Sequence, residues 1–166
     1  MARLTTTLIV AAALAATAGC SPKPKYIPPA PGNNPGPGPT QQDNVRPGSR
    51  ADFERSVTSN TVHFALDRYD LDSEARAILD SQAAWLAHWP NVPVSLEGHC
   101  DERGTREYNL ALGDRRANAA KNYLASRGIN PARISTISYG KERPIALGSD
   151  EASWAQNRRA VTIVLN

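Results

Sequence analysis

Nine of the chain's 13 prolines fall between Pro22 and Pro47, with Gly32, Gly36, Gly38 and Gly48 in or beside the same stretch. Proline fixes φ and removes a backbone donor, so a segment this dense in it cannot build a helix or the interior of a sheet. It also carries too little apolar surface to offset the entropy of ordering. The 166 residues therefore divide into three: a leader over 1–19, a Pro/Gly-rich tether over 20–50, and a folded domain over 51–166. About 30 residues at ~3.1 Å each give the tether a fully extended reach of ~90 Å. The formal charge of +3 follows the same division. Residues 1–50 hold five basic side chains and one acidic, a net of +4, whereas 51–166 hold 14 basic and 15 acidic, a net of −1. The folded part is not basic, which argues against a nucleic-acid footprint.

Arg3, the apolar run from Leu8 to Ala16, and the small residues Thr17-Ala18-Gly19 before Cys20 read as a secretory signal. The apolar stretch is shorter than the ~20 residues of a spanning helix. Ala18-Gly19-Cys20 resembles a bacterial lipoprotein signal, although Thr17 stands where such signals usually have an aliphatic residue. That resemblance implies a lipid on Cys20, and Ser21 after it is consistent with the outer membrane. Cys100 then has no intramolecular partner and is expected as a buried, inert thiol.

From residue 51 the pattern becomes globular. Val62, Phe64 and Leu66 alternate, which predicts a strand over 61–66. Asp72 or Ser73 caps a helix running to about His88, whose apolar stripe includes Ala75, Ile78, Leu79, Leu86 and Trp89. Val92, Val94 and Leu96 mark a second strand, and 106–127 a long helix closed by Gly128 in a left-handed cap. A third strand follows at 134–139, a short helix at 151–158 and a last strand at 160–165. The order β-α-β-α-β-(α)-β predicts an α+β domain with two main helices on one side of a small mixed sheet.

The densest cluster of functional residue types is GHCDERGTREYNLALGDRRANAAKNYL. Asp101 sits in a glycine-bounded turn, while Asn109, Leu112 and Arg116 share one face of the long helix. An acid and a guanidinium joined this way suit a zwitterion, the acid taking an ammonium and the fork a carboxylate. They equally suit a structural ion pair with each other, and residue types alone leave both open. Gly113 on the same helix implies a close approach, either of a ligand or of the sheet.

GHCDERGTREYNLALGDRRA, with VHFALDRYDL before it and SYGKERP and NRRAV after it, closely resembles the family sharing the OmpA C-terminal-like domain, over about residues 62–164. In particular it resembles the lipoproteins of that family that hold peptidoglycan without a covalent bond. The resemblance implies that meso-diaminopimelate of the stem peptide is the zwitterion. It makes Asp101 the acid, Arg116 the carboxylate clamp, Asn109 and Leu112 pocket walls, and Thr105 a rim contact. Phe64 and Asp67 match the family's FxFD segment on the other side, with Leu66 in place of its second phenylalanine. It further implies a non-catalytic outer-membrane tether facing the periplasm, with TolB and the Tol complex as partners and no cofactor or metal. The alternatives are a wall anchor without a Tol role and a cysteine-dependent wall hydrolase. Against the hydrolase, His99 and Cys100 are adjacent on a strand and point to opposite faces. His63 with His99 and Cys100 matches no common zinc spacing. Trp85 and Trp89 are expected in the core rather than as a sugar platform, and Arg158-Arg159 at a solvated helix end.

Overall fold

The computed structural model describes residues 45–166. The leader, most of the tether and the lipidation position Cys20 lie outside the described residues. Packed structure starts slightly ahead of residue 51, with helix α1 (Arg50–Ser56) capped by Ser49. Gly48, at φ +74°, turns the chain in against Trp89, and its N–H donates to Asp52 at 2.9 Å. Helix α1 was not expected because it buries a single apolar side chain, Phe53, and one residue shows no periodicity.

Strand β1 (Thr61–His63) is shorter than the alternation implied. Phe64 still donates its N–H to the Arg158 carbonyl at 2.9 Å, and the chain then bends away. Helix α2 (Ser73–His88) starts as expected, with the Asp72 carboxylate accepting from the Ala75 N–H at 2.8 Å. It buries Ala75, Leu79, Ala83 and Leu86. Trp85 meets Phe53 edge-on at 5.0 Å and donates its indole N–H to Asp52, so both it and the partly buried Trp89 belong to the core.

Strand β2 (Val94–His99), helix α3 (Arg106–Ser126) and strand β3 (Ile134–Gly140) form one β-α-β unit, β2 and β3 being parallel. Thr105 caps α3 by accepting from the Tyr108 N–H. Its end is a Schellman motif: Ile129 N–H bonds Leu124 O and Gly128 N–H bonds Ala125 O, with Gly128 at φ +90° and Ile129 and Leu124 both buried. Helix α4 (Glu151–Asn157) leads into strand β4 (Arg159–Val164).

The sheet order is β1-β4-β2-β3, with β4 antiparallel to both neighbours. This is the α+β architecture expected. Because β4 runs against β1 and β2, its first residues lie at the end of the sheet where those two strands finish. Val94 and Leu96 point into the core beneath α2 and α3, while Ser95 and Glu97 alternate with them on the other face.

The approach of α3 to the sheet is unusually close. A Cβ on Gly98 would lie 1.8 Å from the Gly113 carbonyl oxygen, and one on Gly113 would lie 2.3 Å from Ser138 Oγ. Helix-to-sheet packing therefore accounts for the mid-helix glycine, and no ligand is needed to explain it.

Candidate functional site

A cavity of about 250 Å³ opens where β1 and β2 end and β4 begins, against the first half of α3. Its walls include Leu66, Asp67, Asp101, Arg103, Tyr108, Asn109, Leu112, Arg116 and Arg158. Five of the seven expected residues, Asp67, Asp101, Asn109, Leu112 and Arg116, are thus brought together.

Two are not on its walls. Phe64 is buried in the core, with its ring 5.2 Å beneath the Arg116 guanidinium, so it supports the cation instead of facing the cavity. Thr105 is exposed and its hydroxyl is spent on capping α3. Asn109 also has a local task, donating to the carbonyls of Arg103 at 2.7 Å and Thr105 at 3.0 Å and so holding the turn against the helix.

Asp101 and Arg116 do not pair with each other. Asp101 accepts from Arg103 Nη2 at 2.6 Å and from Arg158 Nη1 at 3.4 Å. Burial pushes its pKa up, but the hydrogen bonds of Arg103 outweigh this, helped by Arg158, and the carboxyl sits below its usual range. Arg103 is itself stacked 4.0 Å over Trp154. Arg158 is buried and bridges Phe64 O, Asp101 and Glu151. Its expected place at a solvated helix end is therefore corrected: the antiparallel entry of β4 inserts it under the cavity. Arg159 is buried as well, donating to the carbonyls of Arg143 and Asn157.

Arg116 is fully buried. Its Nε donates to Arg68 O at 2.9 Å, Nη1 to His99 O at 2.8 Å and Nη2 to Ala65 O at 3.2 Å. Among the described residues it makes no ion pair. Burial pushes its pKa down, yet a guanidinium remains protonated, so this is a buried cation held by carbonyl dipoles. Nη1 also donates to Cys100 Sγ at 3.5 Å, so four of the five donors are committed and one Nη2 hydrogen is left for a ligand, not the free fork the bidentate clamp required.

Asp67 is the residue with spare capacity. It is the only non-glycine at positive φ among the described residues, at +57°. Its carboxylate accepts a hydrogen bond from Tyr108 Oη at 3.0 Å. Aspartate tolerates that conformation better than most residues, and such outliers cluster at binding sites.

Cys100 is buried and its thiol donates to Asn109 O at 3.3 Å. Burial raises its pKa, so the nucleophilic thiolate is disfavoured. His99 lies stacked on Tyr139 at 5.5 Å and is pushed down to about 4 by burial and then by Arg159 and Arg143. Its proton-linked effect has a definite sign. Below about pH 6.5 the unfolded histidine takes a proton that folded His99 refuses until about pH 4, so stability falls across that window. We expect urea unfolding at pH 7 and 4.5 to show wild type losing about 2 kcal/mol relative to His99→Phe, which keeps the ring stack without the titration.

A cavity lined by both charge signs, whose thiol is protonated and whose neighbouring imidazole is turned away, is that of a binding module. The OmpA family model matches residues 63–158. The chain belongs to the OmpA family. It is 53% identical to a peptidoglycan-associated lipoprotein of Rhizobium meliloti (strain 1021), over 71% of this chain and 66% of that one, just under two thirds of the relative's length. It is 46% identical to a peptidoglycan-associated lipoprotein of Brucella melitensis, over 90% of this chain and 85% of that one. The crystal structure of the peptidoglycan-associated lipoprotein from Burkholderia pseudomallei superposes with a TM-score of 0.63 at 44% identity, covering 64% of this chain and 91% of that one. The C-terminal domain of Helicobacter pylori MotB, at 20% identity and a TM-score of 0.60 over 64% of this chain and 84% of that one, shares the fold. The Rhizobium, Brucella and Burkholderia relatives are named as lipoproteins and not as enzymes.

Proposed function

We propose that this chain is a peptidoglycan-binding lipoprotein and that its cavity takes the free end of meso-diaminopimelate in a stem peptide. The observation that carries the reading is the unbalanced Arg116: a buried cation without a carboxylate in contact gains most from a ligand that brings one. The ligand's ammonium would go to Asp67, and to Asp101 in competition with Arg103. Leu66 and Leu112 line the wall for the methylene chain. Thr105 and Phe64 act indirectly, through the helix cap and the support under Arg116.

The leader and the relatives' names support a lipid-anchored wall binder, and the wider reading builds on that. Cys20 carries lipid in the inner leaflet of the outer membrane, residues 20–50 cross the gap, and the domain grips the wall from the periplasmic side. The Tol complex, through TolB, is the proposed partner, in envelope integrity and cell division. Co-purification with TolB separates this from a wall anchor without a Tol role.

The test of the site is binding of the full chain to soluble stem peptides ending in diaminopimelate or in lysine, which lacks the second carboxylate. We expect the lysine peptide to bind at least about tenfold more weakly, and Asp67→Ala to lose about as much for the diaminopimelate peptide. Equal binding of the two peptides would reject the assignment.

A further inference from the structure

A second and more open concavity, of about 610 Å³, lies between the segment after β1, the start of α2 and the outer face of α3. Arg115, Asn118 and Asn122 enter it from α3 at spacings of three and four, so they stand in one row on that helix. Arg76 enters from α2, and the rings of Tyr69 and Tyr123 form two walls.

Its charge is unbalanced. The one carboxylate on its walls, Asp70, is held by Arg68 at 2.6 and 2.9 Å. Tyr123 spends its hydroxyl on Asp80. Arg76 and Arg115 make no ion pair among the described residues, and Arg115 rests 5.8 Å over the Tyr69 ring. Two guanidiniums without a carboxylate in direct contact, Arg76 acting on Asp70 only at longer range, therefore face one concavity that also offers amides and aromatic edges. A polar chain carrying carboxylates fits that combination.

The groove neighbours the first cavity along the chain. Leu66 and Asp67 wall one and Tyr69 to Leu71 wall the other, so a single segment separates them. Arg116 serves the first and Arg115, the preceding residue on α3, serves the second.

We infer that this groove is a second subsite for the same wall polymer, in which Arg76 and Arg115 receive free carboxylates of the stem peptide. Besides diaminopimelate, an unamidated stem offers the α-carboxylate of its γ-linked glutamate and its terminal carboxylate. The inference rests on the reading that the first cavity holds diaminopimelate. It adds that the protein reads the amidation state of the stem, which the first cavity alone would not do.

The experiment compares two disaccharide tetrapeptides by calorimetry with the full chain. Both keep diaminopimelate unmodified; one has free glutamate and terminal carboxylates and the other has both amidated. Wild type is expected to bind the free acid about fivefold tighter, the sum of two partly exposed charge pairs. Arg76→Gln with Arg115→Gln should bind both peptides equally, at the wild-type affinity for the amide, and with a smaller dependence on salt. Both arginines are exposed, so the doubly substituted chain should unfold at the wild-type urea concentration. If wild type binds acid and amide equally, or if the double substitution leaves the preference intact, the groove is not a subsite while the first cavity stands. If wild type binds neither peptide, the diaminopimelate reading fails and takes this inference with it.

Discussion

Arg116→Ala should abolish binding to purified wall sacculi and should also destabilise the domain by about 3–5 kcal/mol in urea unfolding. The second effect separates this residue from a simple ligand contact. Its guanidinium joins two stretches of backbone through three carbonyls: Ala65 and Arg68 in the segment after β1, and His99 at the end of β2. Removing it strands the buried His99 carbonyl, at about 1–3 kcal/mol before relaxation, leaves a void in place of a fully buried side chain, and unties the carbonyls of Ala65 and Arg68 nearer the surface. It also removes the cation stacked on Phe64. The segment from Ala65 to Arg68 would lose the hold that keeps Asp67 at the cavity, so binding falls twice over, by loss of charge and by loss of shape. Arg116→Lys supplies the control: it keeps the charge but cannot reach three carbonyls in the plane of a fork. We expect it to recover part of the stability and little of the binding. A variant that unfolds within about 0.5 kcal/mol of wild type yet fails to bind would show that the carbonyl contacts contribute nothing.

Gly98→Ala should cost more than about 3 kcal/mol, enough to deplete the folded state of a domain this size. The added Cβ would meet the Gly113 carbonyl oxygen at 1.8 Å, and neither partner is a side chain that could swing aside. Either β2 or α3 must move; α3 carries cavity residues and β2 leads directly into Cys100 and Asp101 on the cavity wall. Gly113→Ala should be much milder. Its Cβ meets Ser138 Oγ at 2.3 Å, a hydroxyl that can rotate, and Gly98 O at 3.0 Å. Alanine also regains about 1 kcal/mol of helix propensity. Guanidinium unfolding of the two variants side by side tests the order. Comparable stabilities would mean that the close helix-to-sheet approach is not rigid.

Local chemistry was the most legible layer. Asp72 caps α2, and Gly128 ends α3 in the left-handed conformation, because caps depend on a handful of neighbouring residues. Strand alternation found β3 and β4 to within a residue, and found β2 while ending it three residues short of His99. It overran β1, since Phe64 and Leu66 alternate with Val62 whether or not the chain stays in the sheet. What stops β1 is the turn through Ala65 and Asp67 that delivers carbonyls to Arg116, a residue some fifty positions away. The same kind of separation hid Arg158 as a partner of Asp101, whereas Arg103, two residues on, lay within local reach and was passed over. Arg158-Arg159 after a short polar helix looks solvated by local composition, and nothing nearby in the chain marks it otherwise.

Residue order alone located the starts and stops of α2, α3 and α4 to within a residue or two, and the stretch that carries an acid and a base on neighbouring elements. Those are outcomes of contacts within a few residues, and backbone preference with apolar spacing governs them. Which charge meets which was decided only when β4 came in antiparallel between β1 and β2 and carried Arg158 to Asp101. Arg116, freed from that acid, then became a cation held by carbonyls. Electrostatic pairing in a packed interior follows distance in space, and distance along the chain does not reveal it.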